Sequence, residues 1–292
     1  MKNLIVITGG AGFVGSSLIR YFLKKTSYKI LSIDNYSTGS KLNHIKNKRI
    51  KYLKGHTKNI EVLIKKYKKY INCIFHFGEF SRIYQSFANL DECIDFNTVG
   101  SNAVFNFCMK NKIKLIYSAT SATLGNNGLD KNLSPYAFTK SKNLELLENL
   151  KKWFNFKYEI IYFYNVYGKG QIKKGDMATV IGIFEDQFSK NKPITVVKPG
   201  KQTRRFTHID DTIEVCYEAW KKNRCAHYAI SNKLSYTILE VAKMFNRPIK
   251  FLPRRPGERY SSSIPIQTKK VYKRYGKINL RKYIKSFIEK NT

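Results

Sequence analysis

The 292-residue sequence lacks several features that mark common classes of protein. No apolar run approaches the ~18 residues of a membrane-spanning helix, so we expect neither a membrane span nor a membrane partner. The five cysteines form no C-x-x-C pair and no metal-ligand spacing, so we expect no disulfide framework and no bound metal. Free cysteines of this kind favour a cytoplasmic location. The apolar run at residues 4–7 leads directly into glycines without a small-residue cleavage site, which favours a buried strand over a signal peptide.

Acidic residues are also scarce: 20 Asp and Glu residues stand against 54 Lys and Arg residues, a formal net charge of +34. Such a charge is typical of nucleic-acid binders. The basic residues, however, are mostly lysines spread along the whole chain, and no helix-turn-helix, zinc finger or RNA-binding aromatic motif accompanies them. We therefore expect no nucleic-acid partner and interpret the charge as a compositional bias that also helps to attract an anionic substrate.

Strand and helix patterns alternate through the first two-thirds of the chain. Alternation of this kind predicts an α/β fold with a doubly wound parallel sheet. The apolar, β-type runs lie at residues 4–8, 29–34, 50–54, 73–77, 114–118 and 159–163, and the helical patterns lie at residues 12–25, 59–69, 91–111 and 135–155. After residue 165 the pattern breaks into shorter pieces, which we expect to form a smaller substrate-binding lobe.

A glycine-rich turn follows the first predicted strand. Gly9, Gly12 and Gly15 have the spacing of a dinucleotide-binding turn: the first permits a tight turn, the second lets the backbone approach a pyrophosphate, and the third lets helix and strand pack closely. The pyrophosphate would lie at the positive end of the first helix. Asp34 ends the second predicted strand, where a carboxylate accepts hydrogen bonds from ribose hydroxyls and repels a 2′-phosphate, so NAD is favoured over NADP. The alternative for Asp34 is a turn residue.

A tyrosine and a lysine share one face of a later helix. Tyr136 and Lys140 are four residues apart and follow Ser134-Pro135, a typical helix start. An isolated Y-x-x-x-K pair is common on protein surfaces, but this one follows the strand at 114–118, and Thr120 lies just after that strand, where open α/β sheets bind ligands. Taking a hydride from a carbon that carries a hydroxyl requires a base for the hydroxyl proton. A phenol with a pKa of ~10 is a poor base until a neighbouring ammonium lowers that pKa.

Together these motifs resemble the NAD-dependent epimerase/dehydratase family of extended short-chain dehydrogenases/reductases, over nearly the whole chain. The resemblance implies a Rossmann sheet, bound NAD and a nucleotide-diphosphate sugar as substrate. It implies that Tyr136 is the base, that Lys140 assists it and contacts the nicotinamide ribose, and that Thr120 aligns the substrate hydroxyl. Thr120 is favoured over Ser118 and Ser121 because Gly125 follows it by five positions, as in the family.

The resemblance also implies further contacts and a domain division. The cofactor-binding residues would be Gly9, Gly12, Phe13, Val14, Gly15, Asp34, Asn35, Phe77, Gly78, Asn97, Tyr136 and Lys140. The substrate-binding residues would be Glu79, Ser81, Asn165, Arg204 and Arg255, the last in the segment Arg254-Arg255-Pro256-Gly257-Glu258. Residues 1–166, with a return near 206–232, would form the NAD-binding domain, and residues 167–205 and 233–292 the nucleotide-sugar lobe. Family members that resemble this chain are commonly homodimers joined through the helices near 91–111 and 135–155.

Some positions depart from the family pattern. His56 stands where an aspartate often contacts adenine, Leu124 replaces a tyrosine, and Arg205 replaces an aspartate. The loop before Tyr136 is shorter than in the resembling epimerases. Because this loop borders the sugar pocket, the resemblance implies neither the sugar nor the nucleotide.

Three functions follow as alternatives. The favoured one is epimerisation at C4 of the sugar through a 4-keto intermediate, in carbohydrate metabolism such as polysaccharide biosynthesis. Dehydratases of the family carry an Asp-Glu pair directly after the catalytic threonine, whereas Ser121, Ala122 and Thr123 follow Thr120 here. A 4,6-dehydratase, dehydrogenase or decarboxylase is the first alternative. A non-catalytic NAD-binding protein with a basic interaction surface is the second.

Overall fold

The structure is a computed structural model that describes residues 2–257 and 271–292, apart from the side chains at 125–127 and 271. The strands in chain order are β1 (Leu4–Thr8), β2 (Lys29–Asp34), β3 (Ile50–Lys54), β4 (Ile71–His76), β5 (Lys114–Thr120), β6 (Tyr158–Phe163), β7 (Val166–Tyr167), β8 (Ile194–Val197), β9 (Thr203–Arg204), β10 (Thr207–His208), β11 (His227–Ser231), β12 (Tyr236–Thr237), β13 (Ile249–Leu252) and β14 (Val271–Tyr275).

The helices complete the inventory. The α-helices are α1 (Phe13–Lys25), α2 (Ile60–Ile64), α3 (Gln85–Ala88), α4 (Leu90–Ile94), α5 (Ser101–Lys110), α6 (Pro135–Phe154), α7 (Val180–Ser189), α8 (Ile209–Lys222), α9 (Ile238–Lys243) and α10 (Leu280–Glu289). Shorter 3₁₀ segments lie at Lys41–Asn43, Thr57–Asn59, Lys65–Tyr70 and Ser121–Asn132, and a π-helical segment lies at Asp95–Gly100.

The described residues form an eight-stranded sheet in the order β14-β11-β6-β5-β4-β1-β2-β3. Every neighbouring pair in it is parallel, and strand order reverses between β1 and β4, so the predicted doubly wound α/β sheet is confirmed. The carboxyl ends of β1 and β4 therefore diverge at a crevice, which is where sheets of this kind bind ligands.

The sheet is buried on both faces because its strands are apolar at consecutive positions. All five residues of β1 are buried, and its side chains alternate between two cores. Val6 packs into the core that includes residues of α5 and α6, whereas Ile5 and Ile7 pack into the core that includes residues of α1 and α8. This two-sided burial explains why the strands are continuous hydrophobic runs.

The predicted elements differ from the observed ones mainly in two helices, and the first of them, predicted at 59–69, is the short helix α2 followed by a 3₁₀ segment at Lys65–Tyr70. The pattern at 91–111 is a broken helix: α4 passes through the π-helical segment before α5 begins. The side chain of Asn97, inside the π-helical segment, is fully buried and bonds to the backbone of Phe80 in the loop after β4. The extra residue in this turn thus places a polar side chain toward the interior, a common use of π-turns.

The chain after residue 165 contributes a third core, which includes Phe184, Val196, Val241 and Ile284 from α7, β8, α9 and α10. Three two-stranded sheets also occur among the described residues: β10-β7, β12-β9 and β13-β8. Strand β14 leaves this region and pairs with β11 at the edge of the large sheet. The division into an NAD-binding domain and a sugar lobe stays a prediction.

Two further observations concern membrane spans and metal sites. Among residues 2–257 and 271–292, no helix is long and apolar enough to cross a membrane. All five cysteines are free, and the described residues contain no cluster of three or more His, Cys, Asp or Glu side chains that could hold a metal ion.

Candidate active site

One cleft of about 530 Å³ lies along the carboxyl ends of the central strands. The structure brings nearly all of the predicted site residues into its lining: Gly9, Gly12, Phe13, Val14, Gly15, Asp34, Asn35, Phe77, Gly78, Glu79, Ser81, Thr120, Tyr136, Lys140, Asn165, Arg204 and Arg255. Asn97 lies outside it, held by Phe80 and Thr139. Glu258 lies outside the described residues.

Two glycines of the glycine turn, Gly9 and Gly15, have no room for side chains. Gly9 has a φ of 70°, and a Cβ on it would lie 2.8 Å from the backbone nitrogen of Gly78. A Cβ on Gly15 would lie 2.1 Å from the carbonyl oxygen of Gly9. Gly12 caps α1 without any side-chain hydrogen bond, so the first amides of the helix face the cleft without a protein cap. This cradle fits the pyrophosphate of a dinucleotide.

Asp34 lines the cleft at the end of β2 and also stabilises a turn. Its carboxylate accepts hydrogen bonds from the backbone nitrogens of Ala11 (2.9 Å) and Tyr36 (2.8 Å). Burial raises the pKa of Asp34, and these two hydrogen bonds oppose the rise. Each carboxylate oxygen keeps a second lone pair, so the two interpretations of Asp34, turn residue and ribose ligand, are compatible.

His56 also lines the cleft, at the position where the family often has an aspartate. Its Nδ1 accepts from the backbone nitrogen of Lys58 (3.0 Å), and its Nε2 lies 3.2 Å from the carboxylate of Asp95. Burial lowers the pKa of His56, although Asp95 opposes this. An imidazole held in this way offers a flat ring surface and no carboxylate.

Tyr136 and Lys140 lie on the first two turns of α6. The hydroxyl of Ser134 caps this helix by accepting from the backbone nitrogen of Ala137 (3.1 Å), and Pro135 occupies its first turn. Both functional side chains are buried, with 9% exposure for Tyr136 and 3% for Lys140. The ammonium of Lys140 donates to the carbonyl of Ser118 (2.7 Å) and forms an ion pair with Glu79.

Of the three hydroxyl residues at the end of β5, Thr120 has a free donor toward the cleft. Its Oγ1 accepts from the backbone nitrogen of Ala122 (3.2 Å), which leaves its proton available. The hydroxyl of Ser118 instead donates to the carbonyl of His76 (2.9 Å). Ser121 also lines the cleft.

The carboxylate of Glu79 lies at the centre of a buried polar network. It accepts from the hydroxyls of Ser101 (2.8 Å) and Tyr117 (2.9 Å), besides its ion pair with Lys140. The Glu79 side chain is only 2% exposed. The sequence predicted a substrate ligand at this position; the structure shows its carboxylate occupied by protein groups.

His76 extends this network to the glycine turn. Its Nε2 lies 2.9 Å from Ser101 Oγ, and its Nδ1 lies 2.8 Å from Thr8 Oγ1. Because the Ser101 hydroxyl donates to Glu79, His76 must donate from Nε2 and accept at Nδ1 from Thr8. Burial lowers the pKa of His76 to about 4; Lys140 adds to this effect and Glu79 opposes it.

Basic side chains also line the cleft, among them Arg204 and Arg255. Arg204 is 9% exposed and donates to the carbonyl of Thr203 (2.8 Å). The guanidinium of Arg255 stacks on the ring of Tyr84, 4.9 Å from its centroid. Arg205 is held elsewhere, because its Nη1 donates to the carbonyls of Asn232 and Lys233.

Asn165 also lines the cleft and is joined to the segment that carries the arginines. Its φ of 35° places it in the left-handed region, and its Nδ2 donates to the carbonyl of Arg205 (2.9 Å). Its amide oxygen remains available as an acceptor in the cleft lining.

Sequence reasoning missed Arg82 and the segment at residues 172–183. Arg82 lines the cleft and clamps this segment, donating from Nε (3.1 Å) and Nη2 (2.5 Å) to the carbonyl of Met177. Burial lowers the pKa of Arg82, and the nearby Tyr136 opposes the fall. The Lys173-Lys174-Gly175-Asp176 stretch could have drawn attention to a loop, but nothing in it indicates its partner.

Comparison with known proteins agrees with this geometry. The sequence profile of the NAD dependent epimerase/dehydratase family matches residues 5–232. A protein of Methanocaldococcus jannaschii named "Putative UDP-glucose 4-epimerase" is 29% identical over 230 residues, 75% of this chain and 74% of that protein. A dTDP-D-glucose 4,6-dehydratase of Dictyostelium discoideum is 27% identical over 266 residues, 82% of this chain and 60% of that protein.

A solved structure shares the fold. The UDP-glucose 4-epimerase of Thermotoga maritima, crystallised with UDP-glucose, matches with a TM-score of 0.86 over 98% of this chain and 97% of that chain, at 22% identity. The likeness in fold therefore extends beyond residue 232, where the family profile ends.

Proposed function

The chain belongs to the NAD-dependent epimerase/dehydratase family, and on that premise we propose that it is an epimerase acting at C4 of a nucleotide-diphosphate hexose. The enzyme uses NAD, as its family does. The observation that carries the choice of epimerisation is the set of acids at the cleft. In the described part of the chain these are Asp34, Glu79 and Asp176.

None of the three acids suits the elimination of water. Asp34 lies at the adenosine end, the carboxylate of Glu79 is bound to Lys140, and Asp176 is an exposed residue of the segment clamped by Arg82. Ser121 and Ala122 follow Thr120, so no carboxylate adjoins it. Dehydration needs an acid and a base beyond those that oxidise C4, whereas epimerisation needs only the base and the cofactor.

The chain's own groups divide the work as follows. Thr120 donates a hydrogen bond that aligns the C4 hydroxyl, and Tyr136 takes the hydroxyl proton and later returns it. The ammonium of Lys140 lies one helical turn from Tyr136 and offers a positive charge near the oxygen on which negative charge develops during the proton transfer. Bound NAD supplies a hydride acceptor that can give the hydride back. Between the two steps the 4-keto sugar must turn in the cleft, so that its other face receives the hydride.

The arginines anchor the substrate while the sugar turns. Arg204 and Arg255 are placed to bind the diphosphate, since guanidinium groups form bidentate, charge-assisted hydrogen bonds to phosphate oxygens. Asn165 contributes an amide oxygen to the sugar or its phosphate. In this proposal residues 167–205 and 233–292 act as the nucleotide-sugar lobe, and a firm hold on the diphosphate with a loose hold on the sugar permits rotation.

A second copy of the chain is the proposed partner of two helices. Large apolar side chains are exposed along α4, the π-helical segment and α6: Leu90, Ile94, Val99, Phe138 and Trp153. Single exposed apolar residues are ordinary, but a stripe along neighbouring helices is typical of an interface. Sedimentation at several concentrations would separate a homodimer from a monomer.

Dehydration remains the second candidate, because the Dictyostelium relative is named a 4,6-dehydratase. Incubation with UDP- and GDP-hexoses in D₂O, followed by NMR, separates the two reactions. Epimerisation gives interconverting C4 epimers without solvent deuterium at C4. A 4-keto-6-deoxy product with deuterium at C5 would contradict the proposal, and a salt-sensitive shift of duplex DNA without turnover would favour the non-catalytic, basic-surface alternative.

A further inference from the structure

We propose that Glu79 is a positioning residue for the reaction: its buried carboxylate tethers the ammonium of Lys140, one helical turn from Tyr136, and offsets the charge of that ammonium. This inference rests on the proposed function, because it assigns a role to a neighbour of the catalytic pair. It replaces the expectation that Glu79 touches the substrate.

The tether limits what Lys140 can do. An ammonium has three N–H donors, of which one goes to Glu79 and one to the carbonyl of Ser118 (2.7 Å). The two side chains of the ion pair are 4% and 2% exposed, so water does not compete for these donors. One donor of Lys140 therefore remains for the cleft, and its direction is fixed by the other two.

Glu79 is itself immobilised by donors from several elements. Ser101 of α5 and Tyr117 of β5 donate to Oε1 at 2.8 and 2.9 Å, and Asn143 of α6 lies 3.4 Å from the same oxygen. Ser118 lies 3.4 Å from Oε2. A carboxylate with this many donors is held in one position, and its oxygens have the additional hydrogen bonds that a buried ion pair requires.

The network also connects Lys140 to the glycine turn. The backbone nitrogen of Gly78 donates to Thr8 Oγ1 (3.0 Å), Thr8 donates to His76, and His76 donates to Ser101, which donates to Glu79. Gly78 lies against Gly9 of the turn. A chain of hydrogen bonds, in which each group donates to the next, thus fixes the position of Lys140 relative to the glycine turn.

The carboxylate further reduces the positive charge near the base. Lys140, one helical turn from Tyr136, and Arg82, which interacts electrostatically with Tyr136, are cations of the described part of the cleft, and Glu79 offsets the charge of Lys140. The titratable groups that interact with Glu79 and Lys140 are His76 of β4, Cys93 of α4 and Tyr117 of β5, and Tyr117 in turn interacts with Tyr136 of α6. Removing the anion makes proton loss from the Tyr136–Lys140 pair easier, whichever residue gives up the proton.

The test is the pH dependence of kcat/KM in the NAD-loaded enzyme for Glu79→Gln and Glu79→Asp. The acid limb is the fall of kcat/KM at low pH, where the base becomes protonated. We expect Glu79→Gln to move this limb by roughly one pH unit toward lower pH, because the negative charge of Glu79, which has the same sign as the ionised base, is lost. Glu79→Asp keeps the charge but shortens the reach, so the acid limb should stay in place while kcat falls about ten-fold.

A matched control is available in the second buried Lys–Glu pair. Lys114 and Glu159 lie 3.1 Å apart across β5 and β6, and Glu159 is fully buried. Glu159→Gln should lower the melting temperature as a broken buried pair does, and leave the acid limb where it is in the wild type. Equal acid limbs in wild type, Glu79→Gln and Glu159→Gln would overturn the proposal.

A readout without substrate separates this inference from the proposed function. In protein labelled with ¹³C-tyrosine and loaded with NAD, the Tyr136 resonance is assigned by its loss in Tyr136→Phe, and its titration midpoint should fall in Glu79→Gln. A fall without epimerisation of any hexose would refute the proposed function alone. An unchanged midpoint in an epimerising enzyme would refute the inference alone. If Glu79→Gln does not fold, the Glu79→Asp enzyme still tests the proposal: a wild-type kcat in this variant would refute the claim that the Glu79 carboxylate positions Lys140.

Discussion

Acidification should destabilise this protein through His76, which the structure keeps neutral. Its Nδ1 accepts a hydrogen bond from the Thr8 hydroxyl, and its Nε2 donates one to Ser101. A second proton on the ring would sit on Nδ1, so that the Nδ1–H and the Thr8 O–H would both be donors in a contact without an acceptor. The ring is fully buried, and burial lowers its pKa to about 4. In the unfolded chain the same ring has an ordinary pKa of ~6.5.

The sign and size of the effect follow from linkage. Between these two pKa values the unfolded chain binds a proton that the folded chain does not, so the free energy of unfolding rises with pH in this window and is flat above it. At pH 5 the difference in proton binding costs about 2 kcal/mol relative to pH 7.5. The loss grows until the pH reaches the folded-state pKa of about 4.

Urea unfolding at pH 7.5 and pH 5 measures this quantity, with His76→Gln as the non-titrating comparison. Other groups also titrate, so the prediction concerns the difference: the variant should lose about 2 kcal/mol less than the wild type on acidification. The variant is expected to be less stable than the wild type at both pH values, because it breaks the network. Equal losses in the two proteins would refute the assignment of a neutral His76.

Three further predictions concern the cleft. Tyr136→Phe keeps the ring and deletes the proton acceptor, so turnover should fall by ~10²–10⁴ with an unchanged circular dichroism spectrum; a variant with more than about a tenth of wild-type rate would place the base elsewhere. Arg204→Ala and Arg255→Ala should each lower kcat/KM about ten-fold or more, since a charged hydrogen bond is worth roughly 1.5–3 kcal/mol. Calorimetry should find that both variants bind NAD with the affinity of the wild type. Affinities for UDP and GDP that equal those of the wild type would count against the assignment of the two arginines to the diphosphate. Gly15→Ala should destabilise the fold, because its Cβ would lie 2.1 Å from the carbonyl oxygen of Gly9. In Gly12→Ala the Cβ would lie 3.2 Å from the same oxygen, so this variant should fold but lose affinity for NAD. Equal melting temperatures for the two variants would contradict this distinction.

Much of the fold was predictable because it is encoded locally. The strand runs at 4–8, 29–34 and 50–54 have the observed bounds. The buried strand β1 is apolar at almost every position, whereas β3, at the edge of the sheet, combines half-buried apolar residues with the exposed Lys51 and Lys54. The family resemblance is confirmed by the profile match, and it too rests on short motifs such as the glycine turn and Tyr136–Lys140.

The remainder depends on contacts between distant parts of the chain. Glu79 and Lys140 are 61 residues apart, and Arg82 and Met177 are 95 apart, so no local pattern indicates either pairing. The interrupted helix at Asp95–Gly100 consists of weak helix formers, but this composition does not indicate a π-turn, which accompanies the buried bonds of Asn97. From sequence alone, a charged loop residue such as Glu79 can be assigned either to the substrate or to a buried protein partner, because the choice depends on tertiary packing.

The central claim is that hydride leaves C4 of a nucleotide sugar and returns to the same carbon from the other side. It is tested most directly by a nucleotide-diphosphate hexose labelled with deuterium at C4, incubated with the NAD-loaded enzyme in ordinary water. The account predicts that both C4 epimers keep the deuterium at C4 at equilibrium, without net accumulation of NADH. Loss of the label to solvent, its transfer to C6, or stoichiometric release of labelled NADH would contradict it.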